Sequence, residues 1–310
     1  LDMPSIDEIT KGKTKIDALR PIPIEELLGR EVIQAQSDLM NLAIKNKTIL
    51  ITGSSEGIGA ECARLFSKSG ANLVLVARTK SKLEEIAEEI RNDCKVLVVP
   101  MDISDTRSCK TLISKTVSEF GSLDILINNA GMHERGDFYN LSVDDIGKMV
   151  DVNLRAPMIL SSMALPHMRS AGSGSIVMIA SLAGMSPLQG AAIYSSTKAG
   201  LRAFGFALYD ELKDANIHIG MVSPGPVSTG FILRSIDDVE DIVFSQPMST
   251  PEEVARAVST VIKERNIEIA MPKISGILAT LAYLFPRLRR AMRPSLYAKG
   301  KKNKEKYRHG

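Results

Sequence analysis

The run Thr48-Ile-Leu-Ile-Thr52 leads directly into Gly53-Ser-Ser-Glu-Gly57-Ile-Gly59 and then into a helical pattern that reaches Lys68. An apolar segment with no polar face reads as a strand buried on both sides. The unit then repeats. Apolar runs at 73–77, 96–100, 124–128, 175–180, 217–223 and 268–271 alternate with amphipathic helical stretches, which makes seven strands in all. This alternation predicts an α/β fold, a doubly wound seven-stranded parallel sheet with helices on both faces. Ligands of such sheets lie beyond the carboxyl ends of the strands, near the switch in strand order. Residues just after the strands are therefore the first candidates for a site.

Gly53, Gly57 and Gly59, with Ser55 and Ile58 between them, form the first strand-turn-helix. Glycine lets the backbone approach a pyrophosphate, and the helix start offers free N–H groups and partial positive charge. The second strand ends in Val-Leu-Val-Ala-Arg78-Thr-Lys80. An acidic residue usually occupies this end in NAD-binding folds, whereas Arg78 suits a 2'-phosphate, so NADP is expected rather than NAD. Glu56 in the glycine turn argues the other way. After the third strand, Asp102 can accept from an adenine amino group while Ile103 packs on the ring; an Asp helix cap is the competing account. Asn128-Asn129-Ala130-Gly131 closes the fourth strand with small residues and with amides able to bridge strands.

Tyr194 and Lys198 stand four apart, so they share a helix face, and Ser181 precedes them by thirteen residues. A cation beneath the phenol is expected to draw its pKa of about 10 toward neutrality, making Tyr194 a proton donor and acceptor. Ser181 would offer its hydroxyl to the same substrate oxygen.

Together these residues resemble the short-chain dehydrogenases/reductases, in their compact, single-domain branch with a Rossmann-type sheet. The resemblance spans about residues 47–272. It rests on Thr52-Gly-Ser-Ser-Glu-Gly-Ile-Gly59, Asp102, Asn128-Asn-Ala-Gly131, Asn153 in Val-Asn-Leu, Ser181, the Tyr194/Lys198 pair, and Pro224-Gly225-Pro226-Val227-Ser228-Thr229. It implies that Tyr194 is the general acid/base, that Ser181 orients the substrate oxygen, and that Asn153 holds a water leading toward Lys198. It also implies that Lys198 binds the nicotinamide ribose and that Pro224, Gly225, Val227 and Thr229 line the carboxamide. The activity implied is hydride transfer between nicotinamide and a ketone or secondary alcohol. A homodimer or homotetramer through helices at about 144–170 and 193–214 is implied as well.

The apolar stretch 230–250 is expected to border the substrate, either as ordinary packing or as a lid over a hydrophobic, lipid-like molecule such as a 3-oxoacyl or steroid ketone. Met132, Met185 and Leu188 point the same way. Two other functions stay open, a nucleotide-sugar modifying enzyme that recycles its NAD(P), and a non-catalytic NADP-sensing scaffold. The former draws on Leu19–Glu31, which resembles the arm before the nucleotide-binding strand of bacterial nucleotide-sugar dehydratases.

Three segments are expected: an arm over 1–46 with a helix-like stretch at Ile24–Leu28, the catalytic domain over 47–272, and an apolar then basic extension over 273–310. Lys273 to Gly310 carries eleven Lys and Arg against Glu305 alone, a balance of +10 within a chain of net charge +3. That leaves residues 1–272 at −7. Such a tail serves solubility or meets an anionic surface. Ile274–Phe285 is too short to span a bilayer, so the ending suits an interfacial anchor, an oligomer contact, or a helix over the active-site mouth. With no Trp and 5% aromatic residues, a base-stacking nucleic-acid surface is not expected. Cys62, Cys94 and Cys109 lack metal-ligand spacing, so no metal is expected and the thiols read as reduced and buried. No signal-peptide h-region precedes the core, and a cytoplasmic setting is expected, with membrane association open.

Overall fold

A computed structural model describes residues 43–234 and 236–308. The expected arm, including Leu19–Glu31 and Ile24–Leu28, lies almost wholly outside these residues. Seven strands form one sheet: β1 (Thr48–Thr52), β2 (Asn72–Ala77), β3 (Val96–Pro100), β4 (Ile125–Asn128), β5 (Gly174–Ile179), β6 (Ile217–Pro224) and β7 (Glu268–Met271). Their order is β3-β2-β1-β4-β5-β6-β7, and every pairing is parallel. The switch in direction therefore falls between β1 and β4, and the expected fold class holds.

Alternation along the central strands splits the core in two. Ile49, Ile51, Leu73 and Leu75 face a layer made by α1 (Gly57–Ser67), α2 (Lys80–Ile90) and a later helix, Pro251–Glu264. Leu50, Val74, Val76 and Leu126 face α3 (Thr106–Phe120) and two helices described below. All five residues of β1 are buried. At about 1.5–3 kcal/mol for each large apolar side chain buried, the strand is held at the centre by both layers. A parallel sheet needs this double cover, which is why its strands read as unbroken apolar runs.

After β4 come α4 (Val143–Val150), a π-helical turn (Asp151–Arg155), α5 (Ala156–Ser170) and, after β5, α6 (Ala192–Leu212). The irregular stretch expected after β6 contains a four-residue helix, α7 (Gly230–Leu233), and two 3-10 turns, Ile236–Asp238 and Asp241–Ser245. Ile232, Val239 and Phe244 are buried together there in a small core of their own. Then follow α8 (Pro251–Glu264), β7, α9 (Lys273–Leu284) and α10 (Pro286–Arg308). Thr250 opens α8 with a reciprocal capping box to Glu253.

Asn41–Gly310 forms one compact unit. Gly276 of α9 lies directly on Ala270 of β7, with no room for a Cβ between them. The opposite side of α9 is unusual for a helix end. Ile274, Ile277, Leu278, Leu281 and Leu284, with Phe285, Leu288 and Met292 beyond, are all exposed, at three- and four-residue spacing. An apolar stripe normally faces the core; this one faces outward. The cysteines are free, with Cys62 and Cys109 buried and Cys94 half-buried. Burial pushes all three thiols up, Cys94 and Cys109 to about 11.

Candidate active site

A cavity of about 500 Å³ lies at the carboxyl ends of β1, β2, β4, β5 and β6, across the switch point. Gly53, Ser55, Gly57, Ile58, Arg78, Asp102, Ile103, Asn129, Ala130, Gly131, Ser181, Tyr194, Lys198, Pro224, Gly225, Val227 and Thr229 all line it. Gly59 and Asn153 stand behind the wall instead. Met132 reaches the cavity, whereas Met185 and Leu188 do not. Phe231 and Ile232, from the stretch expected to border the substrate, reach it too, as do Lys82 and Arg234, which the sequence did not single out.

The glycine turn is built for close approach. Gly53 sits at φ +67° and Gly57 at +59°, in the left-handed region that favours glycine. A Cβ on Gly59 would come within 2.3 Å of the Gly53 carbonyl and 2.6 Å of Asn129 Nδ2, so α1 can press on the turn only with glycine there. Asn129 Nδ2 donates to the Thr52 and Gly53 carbonyls at 2.9 and 3.0 Å. The Thr52 hydroxyl accepts from the N–H groups of Asn129 and Ala130, both at 3.0 Å. Strands β1 and β4 are thus joined by side chains at the point where their ladder ends.

The residues fit a dinucleotide. Glu56 is the N-cap of α1, yet its side chain caps nothing. Its carboxylate turns to Lys82 at 2.9 Å and to Arg234 at 3.0 Å, and these contacts, Arg234 foremost, hold it below the usual carboxylate range despite partial burial. The first N–H groups of α1 therefore have no side-chain cap competing for them, the condition for anion binding at a helix start. The same pairs answer the objection that Glu56 raised against a phosphate. Arg78 is exposed on the rim, and Lys82 rather than Lys80 lines the cavity. Asp102 is not the cap of α3, since Asp105 accepts the N–H groups of Arg107 and Ser108. Asp102 Oδ1 accepts the Ser104 N–H and hydroxyl at 2.9 and 2.8 Å, and Ile103 is buried beside it.

Tyr194 and Lys198 share one face of α6, as spaced. Lys198 is buried; its Nζ donates to the Ile179 carbonyl at 2.7 Å and lies 5.8 Å from the Tyr194 ring centre. Burial brings its ammonium down to about 8. The expected lowering of the Tyr194 phenol is not what the structure gives. Burial pushes it up, opposed by the Ser181 hydroxyl and by the charge of Arg135. The reason is distance and solvation: the Lys198 charge is tied to β5, while the half-buried phenol is partly desolvated under the His133 and Phe231 rings. Ser181 Oγ itself accepts the Ala183 N–H at 3.1 Å and donates to the Pro224 carbonyl at 3.4 Å.

Asn153 lies in the π-helical turn. Its amide pairs both ways with the Met132 backbone at 2.8 Å and donates to Thr197 Oγ1 at 3.2 Å. Both its N–H donors are engaged, so an Oδ1 lone pair is what the side chain has left to offer a water. The π turn is the local irregularity that aims this side chain inward, a common use of such turns.

Three further residues enclose the phenol. His133 stacks on Tyr194, ring centres 4.3 Å apart and planes 14° from parallel, and Phe231 leans on both at 6.4–6.5 Å. Arg135 lies over Phe231 and donates to its carbonyl at 3.3 Å. Burial, reinforced by Arg135, drives His133 down to about 3, so it stays neutral. Phe231 was visible only as one apolar residue of the 230–250 stretch. His133 and Arg135 follow the Asn-Asn-Ala-Gly run, and no spacing marked them.

The fold and the residues gathered on this cavity define an oxidoreductase that uses a nicotinamide dinucleotide on alcohol or ketone groups. The chain matches the short chain dehydrogenase family over residues 47–239. It is 36% identical to a ketoacyl reductase HetN of Nostoc sp., over 73% of this chain and 78% of that protein. It is 37% identical to an NADP-dependent 3-hydroxy acid dehydrogenase of Schizosaccharomyces pombe, over 73% and 91%. It is also 36% identical to an 11-beta-hydroxysteroid dehydrogenase-like protein of Arabidopsis thaliana, over 66% and 68%. A crystal structure of a short-chain type dehydrogenase/reductase from Mycobacterium marinum shares the fold, with TM-score 0.70 and 24% identity over 76% of this chain and 98% of that one. The chain belongs to the short-chain dehydrogenases/reductases.

Proposed function

We propose that this protein is an NADP-dependent reductase or dehydrogenase of a hydrophobic, lipid-like ketone or secondary alcohol, with Tyr194 as general acid/base. The observation that carries the reading is Tyr194 on the cavity wall, with Ser181 on the same wall and Lys198 one helical turn on. Nicotinamide, when bound, supplies or accepts the hydride. A phenol kept protonated by burial is suited to donate a proton to the carbonyl oxygen as negative charge develops there. Ser181 would orient that oxygen, and Asn153 would link Lys198 to solvent. The preference for NADP is supported by Arg78, Lys82 and Arg234, three cations on the cavity against the two acids Glu56 and Asp102. The relative described as NADP-dependent agrees with it.

The hydrophobic substrate is supported by Phe231 and Ile232 on the cavity wall and by the names of the ketoacyl and hydroxysteroid relatives. The outward stripe of α9, with Lys273 at its start and Arg287 and Arg290 beyond its end, supports contact with an anionic lipid surface in a cytoplasmic setting. Each cation near such a surface adds about 1 kcal/mol. A homo-oligomer through α4, α5 and α6 is part of the reading, with Val143 84% exposed at the start of α4.

The test is NADPH consumption with methyl ketones of increasing chain length. Tyr194→Phe is expected to lower turnover at least a thousandfold while NADPH binds with unchanged affinity; near-normal turnover would end the assignment. Arg78→Asp is expected to reverse the preference between NADPH and NADH, read as the ratio of the two kcat/KM values.

A further inference from the structure

Lysine is almost never fully buried unless paired, and the basic tail contains one that is. Lys304 of α10 is 6% exposed. Its Nζ donates to the carbonyls of Asp237 at 3.1 Å and Val239 at 2.6 Å, and it pairs with Asp241 Oδ1 at 3.2 Å. Three acceptors match the three N–H donors of an ammonium. Around it, Tyr297 donates to Glu240 at 3.2 Å, Asn303 donates to the Phe244 carbonyl at 3.0 Å, and the Tyr307 ring rests on Phe244 at 5.9 Å. Gly300 touches the Asp241 backbone so closely that a Cβ would overlap the carbonyl. Positions 297, 300, 304 and 307 recur at helical spacing, so one face of α10 is a continuous seam against residues 237–244.

That segment consists of short 3-10 turns, which hold few internal hydrogen bonds of good geometry. Its own apolar anchors, Val239 and Phe244, bury Ile232. Ile232 and its neighbour Phe231 line the cavity, and the Phe231 ring lies 6.4 Å from that of Tyr194. The opposite wall, made by β1, α1, β2 and β4, is held by its own bonds to Thr52 and Asn129, and the exposed Arg234–Glu56 pair links it to this side.

We infer that Lys304 is a positioning residue for substrate, fixing the 236–245 segment and through it the Phe231 and Ile232 side of the pocket. This rests on the proposed reductase reading. A loosened apolar wall weakens the grip on substrate while Tyr194, Ser181 and Lys198 stay in place on α6 and just beyond β5, so the loss falls on substrate binding rather than on cofactor or chemistry.

The full-length chain carrying Lys304→Met is compared with wild type using methyl ketones and NADPH. Expected are a KM for ketone raised at least about tenfold, kcat within about threefold, an unchanged Kd for NADPH, and faster deuterium exchange confined to residues 236–245. An unchanged KM would overturn the proposal, as would NADPH affinity falling in step with KM, which marks general destabilisation. If Lys304→Met does not fold, Tyr307→Ala loosens the same seam and is held to the same outcomes. If wild type consumes no NADPH with any ketone, the reductase reading fails by itself. The exchange arm then decides the latch, and unaltered exchange over 236–245 overturns it.

Discussion

Burial, more than charge, sets the chemistry of the individual side chains here. Lys198 is brought down to about 8 and Tyr194 is pushed up, so at neutral pH the pair is an ammonium beside a protonated phenol. Reduction uses both protons in place. The kcat/KM for ketone reduction is therefore expected to fall as pH rises through about 8, where Lys198 loses its charge. Because His133 lies near 3, the profile should show no limb in the usual histidine range; initial rates between pH 5 and 10 check both points. Folding stability runs the opposite way with pH. A lysine lowered in the folded state makes its full contribution above its unfolded value of about 10.4, and that contribution is lost as pH falls through about 8. The spacing of Tyr194, Lys198 and Ser181 was legible in the sequence because helical period fixes which residues share a face. The direction of the Tyr194 shift was not, since it depends on His133 and Phe231 closing over the ring from remote loops.

At the scale of elements, the turn between β1 and α1 is the most constrained piece of backbone. Gly59→Ala inserts a Cβ within 2.3 Å of the Gly53 carbonyl. The expected result is a turn forced open, with NADPH affinity down at least tenfold and the melting temperature lowered by several degrees, by fluorescence titration and calorimetry. All seven strands were readable, and most of their bounds fall within a residue or two of the observed ones. Strands buried on both faces cannot hide their composition. The 230–250 stretch was readable as apolar but not as a structure, because its turns are shaped by α10, about sixty residues further on. The same holds for Asn153, whose role depends on a π turn that leaves no signature in Val-Asn-Leu.

For the whole molecule, the tail charge turns out to be divided. Lys304 is buried, Arg308 pairs with Asp237 and Glu305, Arg289 bonds the Pro187 carbonyl, and Arg293 meets Gln189. Apart from the Arg308–Glu305 pair within the helix, these contacts fasten α10 to residues 187–189 and 237–241. Arg287, Arg290 and the outward stripe of α9 are left to meet another surface. No helix among the described residues is long and apolar enough to cross a membrane. Binding is therefore expected to be interfacial: retention on vesicles containing about a third phosphatidylglycerol, little on pure phosphatidylcholine, and weakening with added salt. Leu281→Glu should abolish it with ketone kinetics intact. Equal retention on both vesicles would remove the role of the tail cations, and none on either with a larger oligomer in solution would assign the stripe to another copy of the chain instead. The strand order has a last consequence, for synthesis. Thr52 bonds residues 77 and 78 positions later, and the cavity also takes side chains from beyond β6. A nascent chain that has emerged only through β3 holds the glycine turn but neither the neighbour that braces it nor the wall facing it. Dinucleotide binding thus waits until residues as far as about 234 have been made, and cofactor present earlier in translation meets only part of its site.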